Sequence, residues 1–176
     1  MLRATEVSRG ARAAVALVAL LCTGGCYESD IPLDPAPQFA VDTALLGTWR
    51  CLPFDADAQE QPATVVVESP RDRLYGITWQ EEGKKADRYE AYASSVRVPR
   101  LLNFHELNKS PDSKAWVFGR YTFLRPQVFQ LQIVRDEALE KVEKTRPGLR
   151  NAIERLRASQ SLFVDFCLCV RAKDAK

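Results

Sequence analysis

The feature that most constrains this chain is the period-two patterning that runs through residues 45–135. Tyr75, Ile77 and Trp79 alternate with Gly76, Thr78 and Gln80. Tyr89, Ala91 and Ala93 oppose Arg88, Glu90 and Ser94, and Phe129, Leu131 and Ile133 oppose Gln130, Gln132 and Val134. Successive side chains of a strand point to opposite faces, so each alternation defines one buried and one wetter face. Segments 46–51, 64–68, 73–80, 101–107 and 127–135 read as strands separated by turn-forming residues such as Ser69-Pro70, Glu82-Gly83 and Arg125-Pro126. Segment 115–124 is apolar on both faces, which suits a strand covered on both sides.

Beyond residue 135 the register changes. Residues 136–159 carry apolar positions at helical spacing, interrupted by Pro147, and predict two helical pieces rather than one. Leu149, Ile153 and Leu156 form the apolar stripe of the second piece, which is expected to pack on an end or outer face of the sheet and there cover one mouth of a barrel. Residues 162–171 predict a last strand. The expected fold is mainly β: an antiparallel meander of about eight strands, closing into a barrel or a strongly curved sheet, with a helical insertion before the last strand. Gly47-Thr48-Trp49, at the start of the first long strand, resembles the G-x-W motif of lipocalins and their calycin relatives. The resemblance implies a lipocalin-like barrel with Trp49 closing one end. The helical insertion departs from lipocalins, whose helix follows the last strand.

Barrel closure would bring the first and last strands together, and with them Cys51 towards Cys167 and Cys169. Adjacent strands hold Cα atoms within the roughly 7 Å that a disulfide needs. A bridge from Cys51 to one member of the pair is expected, with the member left open. A soft-metal thiolate site and free buried thiols are the alternatives. His105 is the chain's one histidine and has no metal-ligand spacing around it.

The start of the chain is an address. Arg3, Arg9 and Arg12 precede an apolar run at residues 13–21, within the ~7–15 residues of a secretory core and short of the ~20 that span a bilayer. Gly24-Gly25-Cys26 resembles the lipobox of bacterial lipoproteins. That resemblance implies cleavage after Gly25, acylation of Cys26, and a lipid-anchored protein of the bacterial cell envelope, sorted to the outer membrane because Tyr27 rather than Asp follows Cys26. The expected organisation is a signal peptide at 1–25, a lipidated N-terminus and Pro-rich tether at 26–40, and one β-rich domain at 41–176.

Without the leader, acidic and basic residues balance, and no block of like charge supports a nucleic-acid partner. No G-x-S-x-G elbow and no phosphate-cradling glycine loop is present, and His105 lacks triad partners in sequence, so no enzyme, cofactor or resident metal is expected. Asp165, among apolar neighbours, is the carboxylate whose environment promises most, with Arg120 as its partner. Trp49, Tyr75, Trp79, Tyr89, Phe118 and Phe129 are assigned to inward faces beside the small Ala91 and Ala93. Large rings beside small residues leave either a filled core or a pocket at the barrel mouth. The functional expectation is therefore a lipid-anchored binder of a small apolar or amphipathic molecule, or else an envelope scaffold that meets another protein with its outer face.

Overall fold

Each alternating segment forms a strand, because a period-two pattern buries all its apolar side chains only on a sheet. The computed structural model describes residues 26–54, 61–108 and 116–173, so the expected signal peptide lies outside the described residues. The strands are β1 (Glu28–Ser29), β2 (Gly47–Pro53), β3 (Ala63–Arg71), β4 (Leu74–Gln80), β5 (Asp87–Ala93), β6 (Leu101–Glu106), β7 (Trp116–Arg125), β8 (Val128–Val134) and β9 (Phe163–Arg171). From β2 to β9 each pairs antiparallel with the next, and β9 returns to β2, with Cys51 opposite Cys169 and Trp49 opposite Arg171. The result is the expected closed eight-stranded barrel plus one short extra strand. Closure removes the unpaired edges that an open sheet would expose.

The extra strand has a definite task. β7 pairs with β8 only from Gly119 onward, opposite Ile133. Above that point the two strands splay, and the N-terminal segment fills the gap. Glu28 and Ser29 pair with Val117 and Trp116, Cys26 bridges to Arg135, and the Tyr27 N–H donates to the Val134 carbonyl at 2.9 Å. The expected tether is thus part of the domain up to residue 34, with Tyr27, Ser29, Leu33 and Asp34 buried. Its prolines and lack of period concealed this, because beyond Ser29 long-range polar contacts hold it rather than a ladder. Asn103 Oδ1 accepts from the Leu33 N–H at 2.8 Å, and Asp34 meets Arg150 at 2.6 Å.

Helices α1 (Asp136–Leu139) and α2 (Arg146–Leu156) lie between β8 and β9. Pro147 stands in the first turn of α2, where its missing N–H costs nothing, and Thr145 Oγ1 caps the helix by accepting from the Gly148 N–H. The proline therefore opens the second helix as much as it ends the first. Leu149 and Ile153 are fully buried, as their stripe predicts. Their destination is the outer face, one of the two expected, but they do not cover a mouth. They cluster with Leu33, Val96, Val98, Leu101, Phe118 and Val134 on the outer wall of the barrel, so the helices cover a side and not a mouth. A stripe shows that a helix buries one face, not which surface receives it. The barrel interior holds a separate core that includes Trp49, Val65, Tyr75, Leu102, Tyr121 and Phe129.

Candidate functional site: an apolar lumen with an acidic mouth

The lower end of the barrel is sealed by the residues just before β2. A single 3-10 turn (Thr43–Leu45) buries Leu45, whose carbonyl accepts from Trp49 Nε1 at 2.9 Å. Asp42 caps this turn and joins it to the barrel: its N–H donates to Tyr75 Oη at 2.5 Å, and Tyr121 Oη donates to its carboxylate at 2.9 Å. Burial first, then the neighbouring Tyr75 and the Asp42 carboxylate, raise the pKa of Tyr121, so the phenol stays a neutral donor. Arg171, the end of β9, lies over the Trp49 ring and donates to the carbonyls of Leu46 and Ala44. Gly47 sits beneath it at φ +124°, and a Cβ there would come within 2.5 Å of Arg171 Nη1. The glycine and tryptophan of G-x-W are therefore both explained by the floor they build.

Above the floor lies a cavity of about 400 Å³, within the roughly 300–1,000 Å³ typical of small-molecule sites. Its walls are mainly aliphatic and aromatic, with Val65, Ile77, Leu102, Phe104 and Leu131 from four different strands. Of the six rings assigned inward from the sequence, Trp79, Tyr89 and Phe129 line this cavity. Trp49 and Tyr75 face inward but belong to the floor beneath it. Phe118 is a correction: it faces outward, pairs across from Asn103, and packs with Tyr27 and the helices, ring centroids 6.1 Å apart. β7 is apolar on both faces, so its sequence carried no sign of which face was which.

Phe166 was missed because it breaks the alternation. Leu131 pairs with Cys167 but the next pair is Gln132 with Asp165, leaving Phe166 in a bulge. A bulge turns neighbouring side chains towards one face, and both Phe166 and Cys167 line the lumen, with the Phe166 ring 5.8 Å from that of Trp79. Phe104 was also missed, although its alternation with Asn103 and His105 was legible.

The mouth is acidic. Glu28, Glu81, Asp87 and Glu106 line the upper end of the cavity, at the ends of four strands or the turns beside them. Lys84 pairs with Glu81, which also accepts from Trp79 Nε1 at 3.2 Å. The field these carboxylates make is visible in Tyr89. Burial first, then Glu106, Asp87 and Glu81, push its phenol up to about 12. Cys26 belongs to the same rim.

Cys51 and Cys169 form a disulfide across the β2–β9 seam, which resolves the pairing left open by the sequence. Cys167 keeps a buried thiol, its sulfur 3.6 Å from that of Cys169, and burial pushes it up to about 12. The three sulfurs lie within 4.8 Å of one another, but two are spent on the bridge and are not thiolate ligands while it stands. Asp165 is exposed on the outer wall rather than buried, where it accepts from Gln132 Nε2 at 2.6 Å. Arg120 Nε donates to the other end of that amide, Gln132 Oε1, at 2.8 Å. His105 is stacked on Trp116, ring centroids 4.6 Å apart, on the outer face of β6.

Taken together these features define a closed antiparallel barrel with a sealed floor and an apolar lumen, an architecture compatible with a lipocalin-like barrel. Comparison with protein-family models, with curated proteins and with solved structures finds no match.

Proposed function

We propose that this is a non-enzymatic, lipid-anchored protein of the bacterial cell envelope that holds one apolar or single-chain amphipathic molecule in its barrel. The observation that carries the reading is the pairing of a sealed floor with an apolar lumen of about 400 Å³ that opens at the other end. A core meant only for stability would fill that volume, since interiors pack to crystal-like density and voids are costly. The acidic rim supports a neutral or cationic head group over a carboxylate one, because like charge at a low-dielectric mouth opposes entry. Gly24-Gly25-Cys26 supports the anchor, and Tyr27 in place of Asp after it supports an outer-membrane address.

Replacing Cys26 with Ser tests the anchor. The variant is expected either in the soluble periplasmic fraction or as accumulated uncut precursor. A Cys26→Ser protein that is processed normally and stays in the membrane contradicts the reading. The soluble Cys26→Ser protein then tests the lumen. The neutral fluorophore N-phenyl-1-naphthylamine should bind with a blue shift and one-to-one stoichiometry, and Leu131→Trp, which fills the lumen, should abolish this. An alkylamine should displace the fluorophore at lower concentration than the fatty acid of equal length, by a margin that shrinks with added salt.

A second reading, an envelope interaction protein, draws on the opposite wall. Leu52, Phe54 and Val170 are exposed by 42%, 52% and 46% around the β2–β9 seam. If the fluorophore fails to bind the folded variant, this wall becomes the leading surface.

A further inference from the structure

We propose that one acyl chain carried by Cys26 folds back into the barrel, so that the lumen's resident occupant is part of the same molecule. The proposal rests on the lipid-anchored reading above and names the ligand of that cavity. Cys26 is itself part of the cavity wall, partly exposed at the mouth. It is placed there by its bridge to Arg135 and by the Tyr27 N–H bond to Val134. The strand-like alternation of this segment sends Tyr27 outward against Phe118, while Cys26 and Glu28 face the lumen. Chains attached to the sulfur or the amine of Cys26 therefore begin at the mouth and not on the outer wall.

The dimensions suit a single chain. Tyr121 at the floor lies four steps along β7 from Val117 at the rim, a depth of about 13 Å at ~3.3 Å per residue. If a methylene takes about the ~30 Å³ of a liquid water molecule, 400 Å³ holds roughly a dozen of them, one chain and not several. A chain already tethered at the rim meets the cavity at a high effective concentration and loses little further translational freedom on entering. Ester- and amide-linked chains carry no charge, so the four rim carboxylates do not oppose them. The remaining chains would stay in the bilayer, holding the open mouth at the membrane surface.

The test uses the intact protein in its own membrane. Cells are grown with a fatty acid bearing a diazirine near its methyl end, then irradiated, and the purified protein is mapped by peptide mass spectrometry. The expected result is a crosslink joining the Cys26 peptide to lumen peptides containing Leu102, Phe104, Leu131 or Phe166. The folded Leu131→Trp variant should lose that crosslink and gain adducts to lipid. An acylated Cys26 whose adducts go only to lipid or to other proteins overturns the proposal and leaves the anchor standing. A mature N-terminus without acyl mass overturns both.

Discussion

The guanidinium of Arg171 lies 4.2 Å above the Trp49 ring while its two terminal nitrogens donate to Leu46 and Ala44 carbonyls at 2.9 and 2.7 Å. One side chain at the end of the last strand thus fastens the tryptophan of the first strand and the turn that plugs the barrel. Replacing it with Ala removes a cation–π contact and two charge-assisted hydrogen bonds, leaving carbonyl acceptors to find other partners. The expected cost is about 2 kcal/mol, read as a lower urea midpoint with an unchanged m-value. Arg171→Lys should recover only part of it, since an ammonium cannot stack and fork at once.

The Cys51–Cys169 bridge closes a sequence separation of 118 residues across the seam of the barrel. Replacing both cysteines with Ala should cost about 2–5 kcal/mol, the range for a native disulfide. Cys167, so close to that bridge, should not disturb it. With its thiol pushed up to about 12, almost no thiolate exists near neutral pH to attack the neighbouring sulfur. Peptide mapping after iodoacetamide treatment at pH 8 should find Cys167 unlabelled in folded protein and labelled once unfolded without reductant. Alkylation of Cys51 or Cys169 in unreduced protein would contradict the bridge.

Ile153 is fully buried where α2 meets the outer wall. Its truncation to Ala should cost about 2–5 kcal/mol, measured by chemical denaturation. A loss below about 0.5 kcal/mol would make α2 a surface appendage.

Acid should weaken the packing of the N-terminal segment. Burial pushes the Asp34 carboxyl up, but the hydroxyls of Ser94 and Ser95, the Ser95 N–H and the Arg150 guanidinium together outweigh it and hold its pKa below the ordinary carboxylate value. A lowered folded value means that the unfolded chain takes up the proton first. The stabilisation is complete above the ordinary carboxylate range and is lost as pH falls through the folded value. Asp34→Asn should therefore flatten the decline of stability below about pH 4. An unchanged slope would mean that Asp34 does not contribute to it.

Much of the barrel was legible because its signal is local. The alternations through Tyr75–Trp79, Tyr89–Ala93 and Phe129–Ile133 specify both a strand and its inward face, and all three sets face inward in the fold. What was not legible depends on contacts distant in sequence. Residues 27–34 have no period because only Glu28 and Ser29 join the sheet, while Leu33 and Asp34 are held by Asn103 and Arg150. Phe118 was assigned to the wrong face because helices cover the outside of β7, which erases the polar half of its pattern. Phe166 was lost to a bulge, and a bulge appears in sequence only as a slipped alternation. The acidic mouth is assembled from Glu28, Glu81, Asp87 and Glu106, which topology gathers from four separate places.

The central claim is that the lumen is a binding site, and methyl-resolved NMR tests it most directly. Titration of the soluble Cys26→Ser protein with dodecylamine should shift the methyl resonances of Ile77, Leu102 and Leu131, which line the cavity, and saturate at one equivalent. Those of Leu149 and Ile153, in the outer core, should stay in place. Lumen methyls that do not move at saturating amine, or shifts confined to Leu52 and Val170 on the exposed wall, would contradict the account.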